Sequence, residues 1–295
     1  MMAIESLGFI GLGTMGEPMC ANLARKSGLP VHATDRRAEP LQRLSADKVA
    51  ACASVAEVAA RADLVFLSLP SGREVEEICL GPGGIVAAAG RVRTVVDCGT
   101  SPVALTRALE QRLVEAGIAF ADAPVARTRE AAQQGRLSIM VGASAALFPR
   151  ISPLLATMGS DITHCGPVGS GQVVKILNNM VLFETVGALA EALAIGGRAG
   201  VDERLLLETL SKGSADSFAL RNHGMKAMLP RQFPENAFCA EYALKDLGYA
   251  LELAKAGGIG AAGAEVARDR LGAVIARGHG RKYWPVMLAT VAGED

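Results

Sequence analysis

The sequence predicts an α/β protein in two parts: a doubly wound, mainly parallel sheet with helices, followed by a half built only of helices. Short apolar runs alternate with helical stretches from Ile4 to about residue 162, and after Gly171 no such run recurs. The length, 295 residues, suits two domains better than one core. The third observation is composition. Hydrophobic residues make up 50% and aromatic residues only 4%, which suits closely packed helices better than an all-β sandwich.

The apolar runs are Leu7–Ile10, Val31–Thr34, Leu64–Leu69, Thr94–Asp97, Ile118–Ala121 and Leu137–Val141. Runs this apolar suit strands covered on both faces, hence a parallel sheet. Helix starts are marked by Ser54-Val55-Ala56-Glu57 and Ser71-Gly72-Arg73-Glu74, which fit capping boxes, and by Ser101-Pro102, a cap followed by proline. Gly28, Gly117 and Gly159 stand where helices should stop. From Gln172 to Arg198 there is no proline, and one long helix ending near Gly200 is expected. Shorter helical patterns follow at 203–212, 217–228, 241–257, 260–277 and 285–292. Cys165-Gly166-Pro167 breaks the pattern between the halves, so the domains are placed at 1–164 and 165–295.

Thirty basic and thirty acidic residues give a formal net charge of zero. Such a balance offers nothing to a nucleic-acid backbone, and no such partner is expected. The six cysteines, Cys20, Cys52, Cys79, Cys98, Cys165 and Cys239, never approach a paired CxxC spacing, so neither a metal site nor a disulfide framework is expected. They read as small buried hydrophobes. The first residues lack a basic stretch followed by an apolar one, and no uninterrupted apolar run reaches the ~18 residues of a membrane span. A soluble, cytoplasmic protein without a membrane partner is the expectation.

Chemistry begins at Gly11-Leu12-Gly13-Thr14-Met15-Gly16, a GxGxxG between the first strand and the first helix. Gly11 would make the tight turn, Gly13 would let a pyrophosphate approach the backbone, and Gly16 would let helix and strand pack closely. Alone the motif is weak. Here it follows an apolar strand, and Asp35 ends the second strand, which is the context of a Rossmann-type dinucleotide site. Asp35 can accept the ribose hydroxyls of NAD and would repel the 2′-phosphate of NADP. NAD is therefore favoured over NADP. Arg36 and Arg37 follow directly, either as phosphate readers or as solvated loop charges.

Four blocks in order resemble the β-hydroxyacid dehydrogenases, the group of 3-hydroxyisobutyrate dehydrogenase, tartronate semialdehyde reductase and sulfolactaldehyde reductase. They are Gly8–Leu23; Asp122-Ala123-Pro124-Val125, resuming at Gly135 and closing with Met140-Val141-Gly142; Gly169 to Asn179; and Lys245-Asp246-Leu247-Gly248. The resemblance implies a Rossmann domain, a 6-phosphogluconate-dehydrogenase-like helical C-terminal domain and a homodimer or homotetramer. It also implies that Lys175 is the catalytic residue, that Leu69, Pro70 and Thr100 border the cofactor, and that Lys245 closes over its nicotinamide end. Asp246 is read as a support for a helix or for Lys245.

The third block makes sense without any family. Lys175 and Asn179 stand at i and i+4 and share one helix face, with Gly171 a turn earlier leaving room for a ligand. A lysine on an otherwise apolar helix must snorkel outward or line a polar cleft. In the functional reading Lys175 handles the proton of the substrate oxygen and Asn179 holds the substrate.

Two departures stand out. The family usually has Ser-Gly-Gly after Pro-Val, for a substrate carboxylate; here Ala126, Arg127 and Thr128 stand instead, as in the Gly-Arg-Thr version that resembles sulfolactaldehyde reductases. Arg127 offers a donor fork for a carboxylate, sulfonate or phosphate, with Thr128 adding a hydroxyl. The alternative is an outward Arg127 paired with an acid such as Glu130. Gly99 is the other departure, since many members place serine there. The expected function is hydride transfer between NAD(P) and a small anionic β-hydroxyacid or its semialdehyde. The rivals are a dinucleotide-binding sensor module, an imine reductase, which usually lacks the lysine, and a 6-phosphogluconate-type enzyme, which has histidine where Asn178 stands.

Overall fold

The computed structural model describes residues 3–235 and 237–294. It divides into a first compact unit that runs to Lys175 and a second that begins at Ile176.

The first unit holds a nine-stranded sheet. Its strands are β1 (Leu7–Ile10), β2 (Val31–Thr34), β3 (Ala50–Ala51), β4 (Leu64–Leu67), β5 (Thr94–Asp97), β6 (Ala119–Asp122), β7 (Val125–Ala126), β8 (Leu137–Gly142) and β9 (Gly159–Gly166). They run in the order β3-β2-β1-β4-β5-β6-β8-β7, with β9 also on β8. Pairing is parallel from β3 to β6 and antiparallel where β8 meets β6 and β7. The helices are α1 (Gly16–Lys26), α2 (Ala38–Leu44), α3 (Val55–Arg61), α4 (Gly72–Leu80), α5 (Val103–Glu115), α6 (Arg129–Gln133) and α7 (Phe148–Leu155).

Alternate strand residues feed two cores, one on each face. Phe9, Phe66 and Val96 pack with Met19, Leu23, Ile151 and Leu155 of α1 and α7. Ile10, Val65 and Val95 pack with Val58, Val75, Cys79, Leu109 and Leu113 of α3, α4 and α5. The apolar runs thus reflect burial on both faces, as the sequence predicts. Strand order reverses between β1 and β4, so a crevice opens at their carboxyl ends, where such sheets bind ligands.

The long helix α8 (Ser170–Arg198) crosses from the first unit into the second. There follow α9 (Glu203–Leu210), a π-helical segment Leu220–Met228, α10 (Ala240–Ala256), α11 (Ala262–Ala276), a 3-10 turn Trp284–Val286 and α12 (Met287–Ala292). Phe183 packs edge-on against Trp284 at 4.8 Å. On the π segment, buried His223 shares a 2.6 Å hydrogen bond with the Tyr283 hydroxyl, and burial pushes the imidazole down to about 4.

Several local expectations need correction. The strand expected to reach Leu69 stops at Leu67, and the one expected at Ile118 begins at Ala119. Ser101 does not cap α5, because its hydroxyl donates to Asp97 at 3.0 Å. Gly159 begins β9 rather than ending a helix. Gly28 and Gly117, by contrast, take positive φ just past α1 and α5. By length and composition alone α8 reaches the threshold of a span, with a mean hydropathy of 1.5 over 18 residues, of which 33% are buried, a threshold that the core helix of a soluble protein also passes.

Candidate active site

The carboxyl ends of β1, β2, β4, β5 and β6 deliver Gly11, Asp35, Leu69, Gly99 and Ala123 to one edge of the sheet. Each glycine of the first loop has its own reason. Gly11 adopts φ +92°, a conformation that favours glycine. A Cβ at Gly16 would strike the Gly11 carbonyl, so α1 could not seat on the turn. A Cβ at Gly13 would meet nothing within 4 Å. That open space above the first turn of α1 is what a pyrophosphate needs, and the N–H groups of the helix start face it. The residues therefore fit a dinucleotide.

Asp35 closes the loop from β2. Its Oδ2 accepts the Leu12 N–H at 2.6 Å and its Oδ1 the Arg37 N–H at 2.9 Å. Partial burial works to raise its pKa, but these N–H groups and the Arg37 guanidinium outweigh it and hold the carboxyl below the usual range. Arg37 also donates to the Leu12 carbonyl at 3.0 Å, so it is tied to the loop while staying exposed. Arg36 and Thr14 are exposed, Met15 is half-buried, and Leu69 packs partly against the core with exposed Pro70 beside it.

A buried polar network that sequence reasoning missed stands at β5 and β6. Asp97 and Asp122, partners in register, end these strands and are 1% and 0% exposed. Asp97 accepts the Gly99 N–H at 2.8 Å and the Ser101 hydroxyl. Asp122 accepts the N–H groups of Gly169 and Gln172, each at 2.7 Å, at the start of α8. Burial pushes Asp122 up to about 6 against the pull of those donors. Two acids closing apolar runs, Val95-Val96-Asp97 and Phe120-Ala121-Asp122, were the available signal. Gly99 fits here because a Cβ would lie 3.0 Å from the Leu69 carbonyl and 3.1 Å from Asp97 Oδ1. Thr100 is half-buried in the same loop.

Lys175 is half-buried on α8, and Asn179 lies one turn further along the same helix. In the second unit buried Asn179 donates to Asp246 Oδ2 at 2.8 Å. The Lys245 ammonium stands 3.1 Å from Asp246 Oδ1 and 5.5 and 5.4 Å from the Tyr242 and Tyr249 rings. Asp246 thus stands beside Lys245, as the sequence reading expects, and also holds Asn179, which that reading did not foresee.

In the loop after Pro124, Ala126 is half-buried, and the Thr128 hydroxyl accepts the Ala131 N–H at 3.3 Å, capping α6. Arg127 sits at φ +87°, where the related motif has glycine. Its guanidinium pairs with Asp161 at 2.8 Å and donates to Ser160 and to the Arg136 carbonyl. An acid does hold Arg127, then, but it is Asp161 and not Glu130, which accepts from Gln134 instead. Asp161 comes from β9, a strand the sequence did not announce.

A sheet reversing at β1 and β4, a glycine loop with open space over a helix start, and an acid closing it from β2 define the dinucleotide-binding class. Residues 6–166 match the family model of the NAD binding domain of 6-phosphogluconate dehydrogenase, and residues 169–284 that of the NAD-binding region of NADP-dependent 3-hydroxyisobutyrate dehydrogenase. The chain belongs to the β-hydroxyacid dehydrogenase family and is an NAD(P)-dependent oxidoreductase. It is 38% identical to a 2-(hydroxymethyl)glutarate dehydrogenase of Eubacterium barkeri, over 86% of this chain and 83% of that one. It is 36% identical to a 2-hydroxy-3-oxopropionate reductase of Escherichia coli K12, over 85% and 84%. Among solved structures, a 3-hydroxyisobutyrate dehydrogenase of Mycobacterium tuberculosis with L-serine superposes with TM-score 0.86 at 29% identity, covering 98% and 99%.

Proposed function

We propose that the protein interconverts a small anionic β-hydroxyacid and its semialdehyde, with Lys175 as general acid and base. The observation that carries this reading is Lys175 on the helix whose first turn is fixed by Asp122 beside the glycine loop's sheet edge. When bound, the nicotinamide supplies or takes up the hydride. In the reducing direction the Lys175 ammonium donates a hydrogen bond to the substrate oxygen, stabilises its developing charge and gives up the proton. In the oxidising direction the neutral amine accepts it. Asn179 holds the substrate in this reading, and Asp246 fixes which way its amide points. The family resemblance assigns Lys245 to the nicotinamide end of the cofactor. A turnover screen over 3-hydroxyisobutyrate, tartronate semialdehyde, succinic semialdehyde, glyoxylate, sulfolactaldehyde, 2-(hydroxymethyl)glutarate and L-serine, with both cofactors, tests it. Turnover of none of these would sink the substrate class.

NAD is the preferred cofactor in this reading, because the Asp35 carboxylate would accept ribose hydroxyls and repel a 2′-phosphate. Asp35→Asn should narrow the preference for NAD over NADP, measured as the ratio of kcat/KM values. A wild-type enzyme already better with NADP refutes the preference and leaves Arg36 as the reader of the phosphate.

Arg127 and Thr128 read the substrate's anionic group, with the Ala126 backbone shaping the loop. The Arg127–Asp161 pair is exposed and therefore weak, and an anion can share or displace it. A hydrogen bond to a charged group is worth enough that Arg127→Ala should cost about 10- to 150-fold in kcat/KM on anionic substrates. Uncharged aldehydes of similar size should be spared, and Asp161→Asn should improve the anionic ones. Equal losses on both substrate types would mean that the loop alone was disturbed.

The protein is also proposed to be a cytoplasmic homodimer or homotetramer. Val174, Leu177 and Val181, all more than 40% exposed along one side of α8, support a self-association face.

A further inference from the structure

The start of α8 is held from two sides. On one side Asp122 takes its Gly169 and Gln172 N–H groups. On the other, the side chain of Gln172, itself 0% exposed, reaches into the loop after β5. Its Nε2 donates to the Gly99 carbonyl at 2.9 Å, and its Oε1 accepts the Ser101 N–H at 3.1 Å. That loop contains Thr100 and is pinned in turn by Asp97. The seat is close. A Cβ at Gly171 would strike the Met140 carbonyl, and would lie 2.8 Å from Asp122 Oδ2 and 2.9 Å from the Gly142 nitrogen. Gln172 and Lys175 are three residues apart, hence neighbours on the helix surface. One amide side chain therefore ties the loop that borders the cofactor to the turn that carries the lysine, at both of its polar atoms.

We propose that Gln172 is a positioning residue, which through the backbone of Gly99 and Ser101 sets where the Lys175 amine stands relative to the cofactor-bordering loop. The inference rests on the reading of Lys175 as the acid and base. It adds that the amine's placement is fixed by a buried tether and not by helix propensity alone. Reaction geometry is sensitive to displacements of about 1 Å, which can cost on the order of 10²-fold in rate. A fully satisfied buried network is the kind of structure that holds such a tolerance.

Gln172→Met keeps the side-chain length and removes both hydrogen bonds. The expected result is a fall of about 10- to 100-fold in kcat, with KM for cofactor and substrate within about 3-fold of wild type. NADH binding followed by fluorescence should be unchanged, and amide exchange at Ser101 should accelerate. Should the methionine variant fold poorly, Gln172→Glu keeps the acceptor for Ser101 but loses the donor to Gly99. It should show the same kcat-specific loss. In a Lys175→Met background, Gln172→Met should cost almost nothing further, because the residue acts through the lysine. A folded Gln172 variant with wild-type kcat overturns the proposal, and so does an undiminished loss in the Lys175→Met background. If Lys175→Met alone leaves kcat intact, the role of Lys175 falls first, and that result is distinct from either of the others.

Discussion

Lys175→Met is expected to lower kcat by at least about 10²-fold while leaving cofactor binding and thermal stability close to wild type. The methionine preserves the apolar stem that lies along α8 and removes only the amine, so the loss measures proton handling and charge stabilisation, for which about 10²–10⁴-fold is usual. Stopped-flow turnover under saturating substrate, with NADH fluorescence as the binding control, separates the two. Near-wild-type kcat in a folded variant would remove Lys175 from the mechanism. The pH dependence carries a sign. General-base catalysis needs the neutral amine, so alcohol oxidation should accelerate from neutral to alkaline pH. Aldehyde reduction draws on the ammonium and should not. An oxidation rate flat across that range would contradict the role.

The second large effect belongs to Gly13. Because its missing Cβ faces open space, Gly13→Val should fold with little change in melting temperature. The valine would nevertheless occupy the approach of the pyrophosphate and separate it from the helix N–H groups. A hydrogen bond to a charged group is worth about 1.5–3 kcal/mol, so the dissociation constant for NADH should rise about 10- to 150-fold per bond lost. Gly16→Ala is the contrasting control, since its Cβ strikes the Gly11 carbonyl and should lower the melting temperature as well. Equal NADH affinity in wild type and Gly13→Val would place the pyrophosphate elsewhere.

Much of the architecture was legible because burial on both faces leaves a mark in sequence. β1, β2 and β5 coincide with their apolar runs, and α8 follows from a long stretch without proline. What escaped was what burial does not mark. β9 carries exposed Ser160, Asp161, His164 and half-buried Cys165, so its ladder hydrogen bonds to β8 have no hydrophobic signature. β3 and β7 are two residues each, too short for any periodicity. The same blindness affected the site. Arg127 was singled out from its loop, but its partner Asp161 sits on the unforeseen strand. Lys175 and Asn179 were singled out from the family resemblance, and helix spacing, which is local, put them on one face. Asp97, Asp122, Ser101 and Gln172 act through contacts as many as 73 positions apart, which no local pattern encodes.

α8 has a mechanical consequence. Lys175 and Asn179 ride on one unbroken backbone, so their Cβ atoms stay about 5–6 Å apart for as long as that turn persists. The amine and the amide behave as two prongs cut from a single rod, whose start is seated by the loop at residues 99–101. Variation in substrate therefore belongs to residues 126–128, since rebuilding 99–101 would move the rod itself. New specificity can be gained at the rim while the chemical step is inherited whole.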